Sequence, residues 1–165
     1  SPYTFLTTDI TYLHYGNKTA YLSVVKDISS GEILAHVVSP TLDMSLSVRL
    51  VELLVSVIKK RNIHIENTML HSDQGVHYTA REYRMKLEEY RITQSMSRKG
   101  NCLDNAPVES FFGHLKDELE YAQATGHQEV EKLVDEYIIN YNTKRHQWNR
   151  KKMTPIVYRN HLLAL

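Results

Sequence analysis

The chain has 165 residues, 42% hydrophobic and 24% charged, with a formal net charge of +1. That length suits one domain with a substantial core, and the near-neutral balance excludes a uniformly basic surface, so any anion-binding face must come from local clustering. The one cysteine, Cys102, excludes an internal disulfide and a cysteine-built zinc cage, and it fits a reducing cytoplasm.

The first 40 residues read as a three-stranded meander. Phe5 to Tyr15 and Ala20 to Ile28 are rich in Thr, Tyr, Val and Ile, and Gly16-Asn17 marks the turn between them. Ser29-Ser30-Gly31 makes a second turn before a strand from Ile33 to Val38. Pro40-Thr41-Leu42-Asp43 reads as a helix entry, capped by Thr41 or Asp43, and the helix runs to about Arg61. Its apolar stretch, Met44 to Ile58, is broken by Arg49 and Glu52, so it predicts a buried helix rather than a membrane span.

Thr68 to His71 is a short apolar strand ending at Asp73, Ala80 to Tyr90 a helix, and Arg91 to Gln94 another strand. Ser95 to Asn105 has loop chemistry. A helix then opens with Pro107 in its first turn, and a further helix spans about Gln128 to Tyr141. The order βββαβαβαα implies an α/β fold with a mixed sheet, the meander antiparallel and the later strands parallel.

Three acids stand out. Asp9 interrupts a β-branched strand, on the face it shares with Thr7 and Thr11. Asp73 directly follows a strand, at the end where α/β folds build their sites. Glu109 follows after 35 intervening residues (74 through 108), in the first turn of a helix, with Gly113 and Lys116 at i+4 and i+7 on one face. Each has an ordinary explanation when taken singly: an edge-strand aspartate, a turn aspartate, and a glutamate complementing a helix dipole. Brought together, they form an all-oxygen site suited to Mg²⁺ or Mn²⁺ rather than zinc, and to phosphoryl transfer on nucleic acid. Asp104 is the rival for the third position, in a loop where Glu109 has a helix. His71 and His77 flank Asp73 without any zinc-ligand spacing, and His71 either orients Asp73 or is structural.

Basic residues gather in two places. Arg98 and Lys99 precede Glu109, and Lys144, Arg145, His146, Arg150, Lys151 and Lys152 surround Trp148. Either run is a solvated charged face or a track for phosphates.

The motifs Thr8-Asp9-Ile10-Thr11-Tyr12 and His71-Ser72-Asp73-Gln74-Gly75, and the long stretch from Gln94 through Asn105 and Ala106 to Glu109-Ser110-Phe111-Phe112, carry a resemblance across the whole chain. Leu115-Lys116, Tyr141-Asn142, Arg145 and Thr154-Pro155 extend it. The chain resembles the catalytic (integrase core) domain of bacterial insertion-sequence DDE transposases of the OrfB type, within the retroviral integrase-like superfamily. The resemblance implies an RNase H-like fold, a five-stranded mixed β-sheet flanked by α-helices. It implies one catalytic core domain over 1–165, with the family's N-terminal helix-turn-helix region outside it.

The catalytic and metal-binding acids implied are Asp9, Asp73 and Glu109, holding two Mg²⁺ (or Mn²⁺) ions. Lys116 is implied as a contact to the transposon end, with Arg98, Lys99 and Arg145 as further DNA-binding candidates. The expected reaction is DNA cleavage followed by strand transfer to a DNA 3′-hydroxyl, by a homo-oligomer acting on transposon ends and target DNA in the bacterial cytoplasm, with no membrane partner. The alternatives are a nuclease of the same fold that only hydrolyses, and a non-catalytic DNA-binding module. Leu6 is a departure, standing where the family often has Trp.

Overall fold

A computed structural model describes residues 1–97 and 105–165. Strands β1 (Phe5–Tyr15), β2 (Lys18–Asp27) and β3 (Ile33–Ser39) form the expected antiparallel meander. β4 (Met69–Ser72) pairs parallel with β1, and β5 (Thr93–Met96) parallel with β4. The sheet order is therefore β3-β2-β1-β4-β5, the mixed five-stranded sheet of the RNase H-like fold.

The alternation of β1 decides which helices cover which face. Leu6 and Ile10 point toward α1 (Ser45–Lys60) and α3 (Arg81–Glu89), into a core with Leu50, Leu54, Ile58 and Leu87. Leu13 and Tyr15 point the other way, toward α4 (Ala106–Glu118) and α5 (His127–Lys144), into a core with Val108, Phe111, Leu115, Val130 and Val134. Each fully buried aliphatic or aromatic side chain contributes roughly 1.5–3 kcal/mol. Leu6, in the place of the family's Trp, is wholly buried in the first core.

Three details differ from the sequence reading. The last strand starts at Thr93 rather than Arg91, because Arg91 takes a left-handed turn (φ 57°) that ends α3, and Ser95 and Met96 join the strand instead of a loop. A one-turn helix, α2 (Val76–Thr79), follows Asp73. A further helix, α6 (Pro155–Leu163), is started by Thr154, whose hydroxyl accepts the Val157 amide at 3.4 Å, with Pro155 at the first position. The N-cap position of α1 falls on Met44 rather than on Thr41 or Asp43, although Asp43 just before it accepts the Ser45 amide at 2.9 Å.

Two polar devices lock the ends of the sheet. Asn142 of α5 bonds both the amide and the carbonyl of Ile33, each at 2.9 Å, fixing α5 to β3. Glu32, 1% exposed, receives Arg61, just past the end of α1, at 2.8 Å and Arg159 of α6 at 2.6 Å. Between β2 and β3, Asp27 takes the Ser29 amide at 3.1 Å and the Ser30 hydroxyl at 2.7 Å. Gly31 there has φ 77°, a conformation that favours glycine, and a Cβ on it would fall 2.6 Å from the Arg150 guanidinium and push it aside.

Candidate active site

The strand register brings the first two acids together. Thr7 and His71 form the last paired rung of the parallel β1–β4 ladder, and Asp9 and Asp73 each stand two residues beyond it. Asp9 shares the α4 side of the sheet with Thr7, Thr11 and Leu13. Glu109 arrives from above, in the first turn of α4, whose Val108 and Phe111 are buried on the same face of the sheet. Asp9 and Asp73 thus stand side by side past the last β1–β4 rung, with the helix that carries Glu109 on the same side of the sheet as Asp9.

The charges of Asp73 and Glu109 are both felt at Asp9. Burial pushes Asp9 up most, and the Asp73 and then the Glu109 charges push it further. The Ile10 amide, donating to Oδ1 at 2.9 Å, pulls against this, and the result is a pKa of about 6 against an ordinary 3.8. No cation is paired with Asp9 among the described residues. A half-buried carboxylate with two like charges beside it and one amide to satisfy it is an arrangement that a divalent cation would complete. Among the described residues no three His, Cys, Asp or Glu side chains form a ready-made cage, so the triad is an electrostatically coupled set rather than a closed one.

Asp73 is exposed and shaped by its turn. Its Oδ1 accepts the Gly75 amide at 2.7 Å, and a Cβ on residue 75 would lie 2.9 Å from that oxygen. Gln74 anchors the same turn by donating to the Ser97 carbonyl at 3.0 Å. Neither nearby histidine touches Asp73: His71 bridges Ser95 and Ser97, each at 2.9 Å, and His77 reaches the Asp43 carbonyl at 3.1 Å. Both are structural links. Close to Asp9 and Asp73 lies Tyr78, a residue to which the sequence reading gave no role. Its phenol is buried, and burial first, then the Asp9 charge, hold its pKa well above the usual value, so it remains a neutral floor.

Glu109, Gly113 and Lys116 are all exposed on α4. A Cβ on Gly113 would meet nothing in the chain. Lys116 pairs with no carboxylate among the described residues, whereas Arg145 is held by both oxygens of Glu118 at 2.7 Å. Arg98, Lys99 and the rival acid Asp104 lie outside the described residues.

This sheet order, with one carboxylate in the middle of β1, one just past β4 and one on α4, is that of the catalytic cores of the integrase and transposase class. Family models described as integrase core domains match residues 1–102 and 109–163, and the chain belongs to that family. It is 43% identical over 154 residues to InsK, assigned as the transposase of insertion sequence IS150 in Escherichia coli strain K12, covering 93% of this chain and 53% of InsK. It is 40% identical to an uncharacterized transposase-like protein of Haemophilus influenzae, covering 93% of this chain and 69% of that protein. The chain thus spans about half the length of InsK. Among solved structures, the HTLV-2 integrase catalytic core domain in complex with magnesium (trimeric form) has a TM-score of 0.68 at 15% identity, covering 95% of this chain and 96% of that one, and shares the fold. No described helix is long and apolar enough to cross a membrane.

Proposed function

We propose that this chain is the catalytic core of an insertion-sequence transposase, cutting DNA at transposon ends and joining the freed 3′-hydroxyl to target DNA. The observation that carries the reading is Asp9: a strand carboxylate raised to about 6, coupled to Asp73 and Glu109 from distant parts of the sequence, with no cation partner among the described residues.

Asp9, Asp73 and Glu109 would hold two Mg²⁺ or Mn²⁺ ions, which when bound supply the positive charge that favours ionising the attacking oxygen and stabilises the leaving one. The chain's own parts then divide the remaining work. Asp9, fixed in mid-strand and tied through Oδ1 to the Ile10 amide, is the rigid member. Asp73 is aimed by the Gly75 amide, and Glu109 is carried on a helix clamped to the sheet by its apolar face. Gly113 leaves the α4 surface low enough for a DNA backbone to approach, with Lys116 one turn further along to meet a phosphate. Arg145 would exchange Glu118 for a phosphate. Handling two ends at once calls for a homo-oligomer.

The test is joining of a pre-cut transposon end to target DNA in Mn²⁺. Asp9→Asn, Asp73→Asn and Glu109→Gln are each expected to abolish joining with the fold retained by circular dichroism. Joining at wild-type rate by any of the three overturns the assignment. Release of nicked DNA without joining by the wild type would instead point to a nuclease.

A further inference from the structure

On the other flank of α4 lies a cavity of about 510 Å³ whose chemistry is opposite to that of the triad. It is lined by Lys26, His114, Arg145, Gln147, Trp148 and Arg150 among others, and no carboxylate lines it. Lys26 forms its floor. This residue sits on β2, paired with Thr7 of β1 and so on the α4 face, where the β2–β3 register shifts. Such irregularities re-aim side chains.

Lys26 is 5% exposed, and its ammonium donates to the Pro107 carbonyl at 2.8 Å and the Tyr141 hydroxyl at 3.3 Å. Both acceptors are neutral, and one of its three N–H groups is left over. Buried with no counter-ion, and with Arg150 and Arg145 adding like charge, Lys26 is driven down to about 7.

Two more donors are stranded there. The Gln147 side-chain nitrogen and Arg150 Nε are buried without a partner. The rest of the Arg150 guanidinium is held in place by Gln147 and Asn149 and by the Ile28 carbonyl at 3.3 Å. The segment carrying these groups is itself held tightly. Gln147 pairs with Met153 across a turn in which Lys151 and Lys152 both take positive φ (52° and 60°), a conformation costly for residues with side chains. Trp148 stands at the mouth, 83% exposed, with the Lys152 ammonium 4.5 Å over one face of its ring.

Buried donors without acceptors, a lysine and an arginine (Lys26 and Arg150) without carboxylates, and a solvent-facing indole together specify a ligand with anionic oxygens beside a flat ring. We infer that this pocket binds the phosphodiester backbone of an unpaired nucleic-acid strand, with Trp148 as the stacking platform for an adjacent base. The inference rests on the reading that the chain acts on nucleic acid, and it places a second contact across the width of α4 from Glu109. An unpaired strand is favoured over a duplex because the indole has to meet a base face, which stacking hides in a duplex.

Trp148 is the only tryptophan, so its fluorescence reports on the pocket alone. The chain should be titrated with an oligothymidine in EDTA, where the acids hold no metal. Saturable quenching is expected, weakened at least tenfold in Arg150→Gln and in Lys26→Met, and competed by inorganic phosphate only at far higher concentration. If Lys26→Met fails to fold by circular dichroism, the partly exposed Arg150→Gln carries the test. Absence of quenching, unchanged affinity in Arg150→Gln, or equal response to a blunt duplex each overturns the inference. Strand joining in Mn²⁺, measured separately, reports on the triad, so failure of one reading is distinguishable from failure of the other.

Discussion

Glu32 and Asp9 are both carboxylates withdrawn from water, and the fold treats them oppositely. Glu32 meets two guanidiniums, with Arg159 donating to both of its oxygens at 2.8 and 2.6 Å. Asp9 meets one amide and two other acids. Asp27, likewise buried, resembles Glu32 in being satisfied, by hydroxyls and amides of its own turn. Acids that hold this fold together are saturated by partners within the chain. The acid assigned to chemistry is left for something outside it.

The sharpest way to break the comparison is to neutralise each acid in turn. Asp9→Asn should lower strand joining by at least about a thousandfold, equivalent to roughly 4 kcal/mol of transition-state stabilisation, while leaving the protein folded. Glu32→Gln should do the reverse. It leaves two guanidiniums facing a neutral amide, costs about 3–5 kcal/mol in urea denaturation, and spares the joining activity of whatever remains folded. If Asp9→Asn destabilised as much as Glu32→Gln, the contrast between the two would disappear.

The pH dependence sharpens it further. Because the folded pKa of Asp9 is raised to about 6 from 3.8, the native state binds more protons than the unfolded chain between those values. Metal-free stability should therefore fall as pH rises from about 4 to 6, by up to about 3 kcal/mol, and stay low above 6. Thermal melts of Asp9→Asn should lack that fall, and at pH 7 without metal the variant should melt higher than wild type. Adding Mg²⁺ should recover about 2.7 kcal/mol in the wild type at a hundred times the dissociation constant, and little in the variant. The smallest effect is expected at Gly113. Alanine there meets nothing in the chain and should stabilise α4 by about 0.5–1 kcal/mol. Joining should nevertheless fall, since the methyl stands where DNA is expected to pass.

Much of this was legible in the residues themselves. The alternation of Leu6 and Ile10 against Asp9 and Leu13 divides the two cores, and the motif around Asp73 marks a strand end. The helical spacing of Glu109, Gly113 and Lys116 survives as a shared exposed face. Local pattern was silent in other places for physical reasons. A four-residue helix such as α2 has no periodicity to read, and α6 announces itself only through the cap and proline of Thr154-Pro155. The left-handed turn at Arg91 shifted a strand by two residues. The partners of His71 and His77 depend on which loops pass by, so neither ring's orientation could be foreseen. The basic pocket was the least visible, since its floor joins Lys26 to residues 81 and 115 positions away. The basic run around Trp148 marked its rim, but nothing beyond a lysine closing the apolar run Val24-Val25 pointed to its floor.

The Glu32 cluster also sets an order of events during synthesis. Arg61 follows Glu32 by 29 residues, but Arg159 follows it by 127. A nascent chain that has made all five strands still holds this buried carboxylate with one of its two cations, and α6, which brings the other, emerges after them. The sheet can therefore pair early on the ribosome, but its corner near Tyr3 and Glu32 closes only when Arg159 clears the exit tunnel. A ribosome stalled before that point should carry a core that proteases still open.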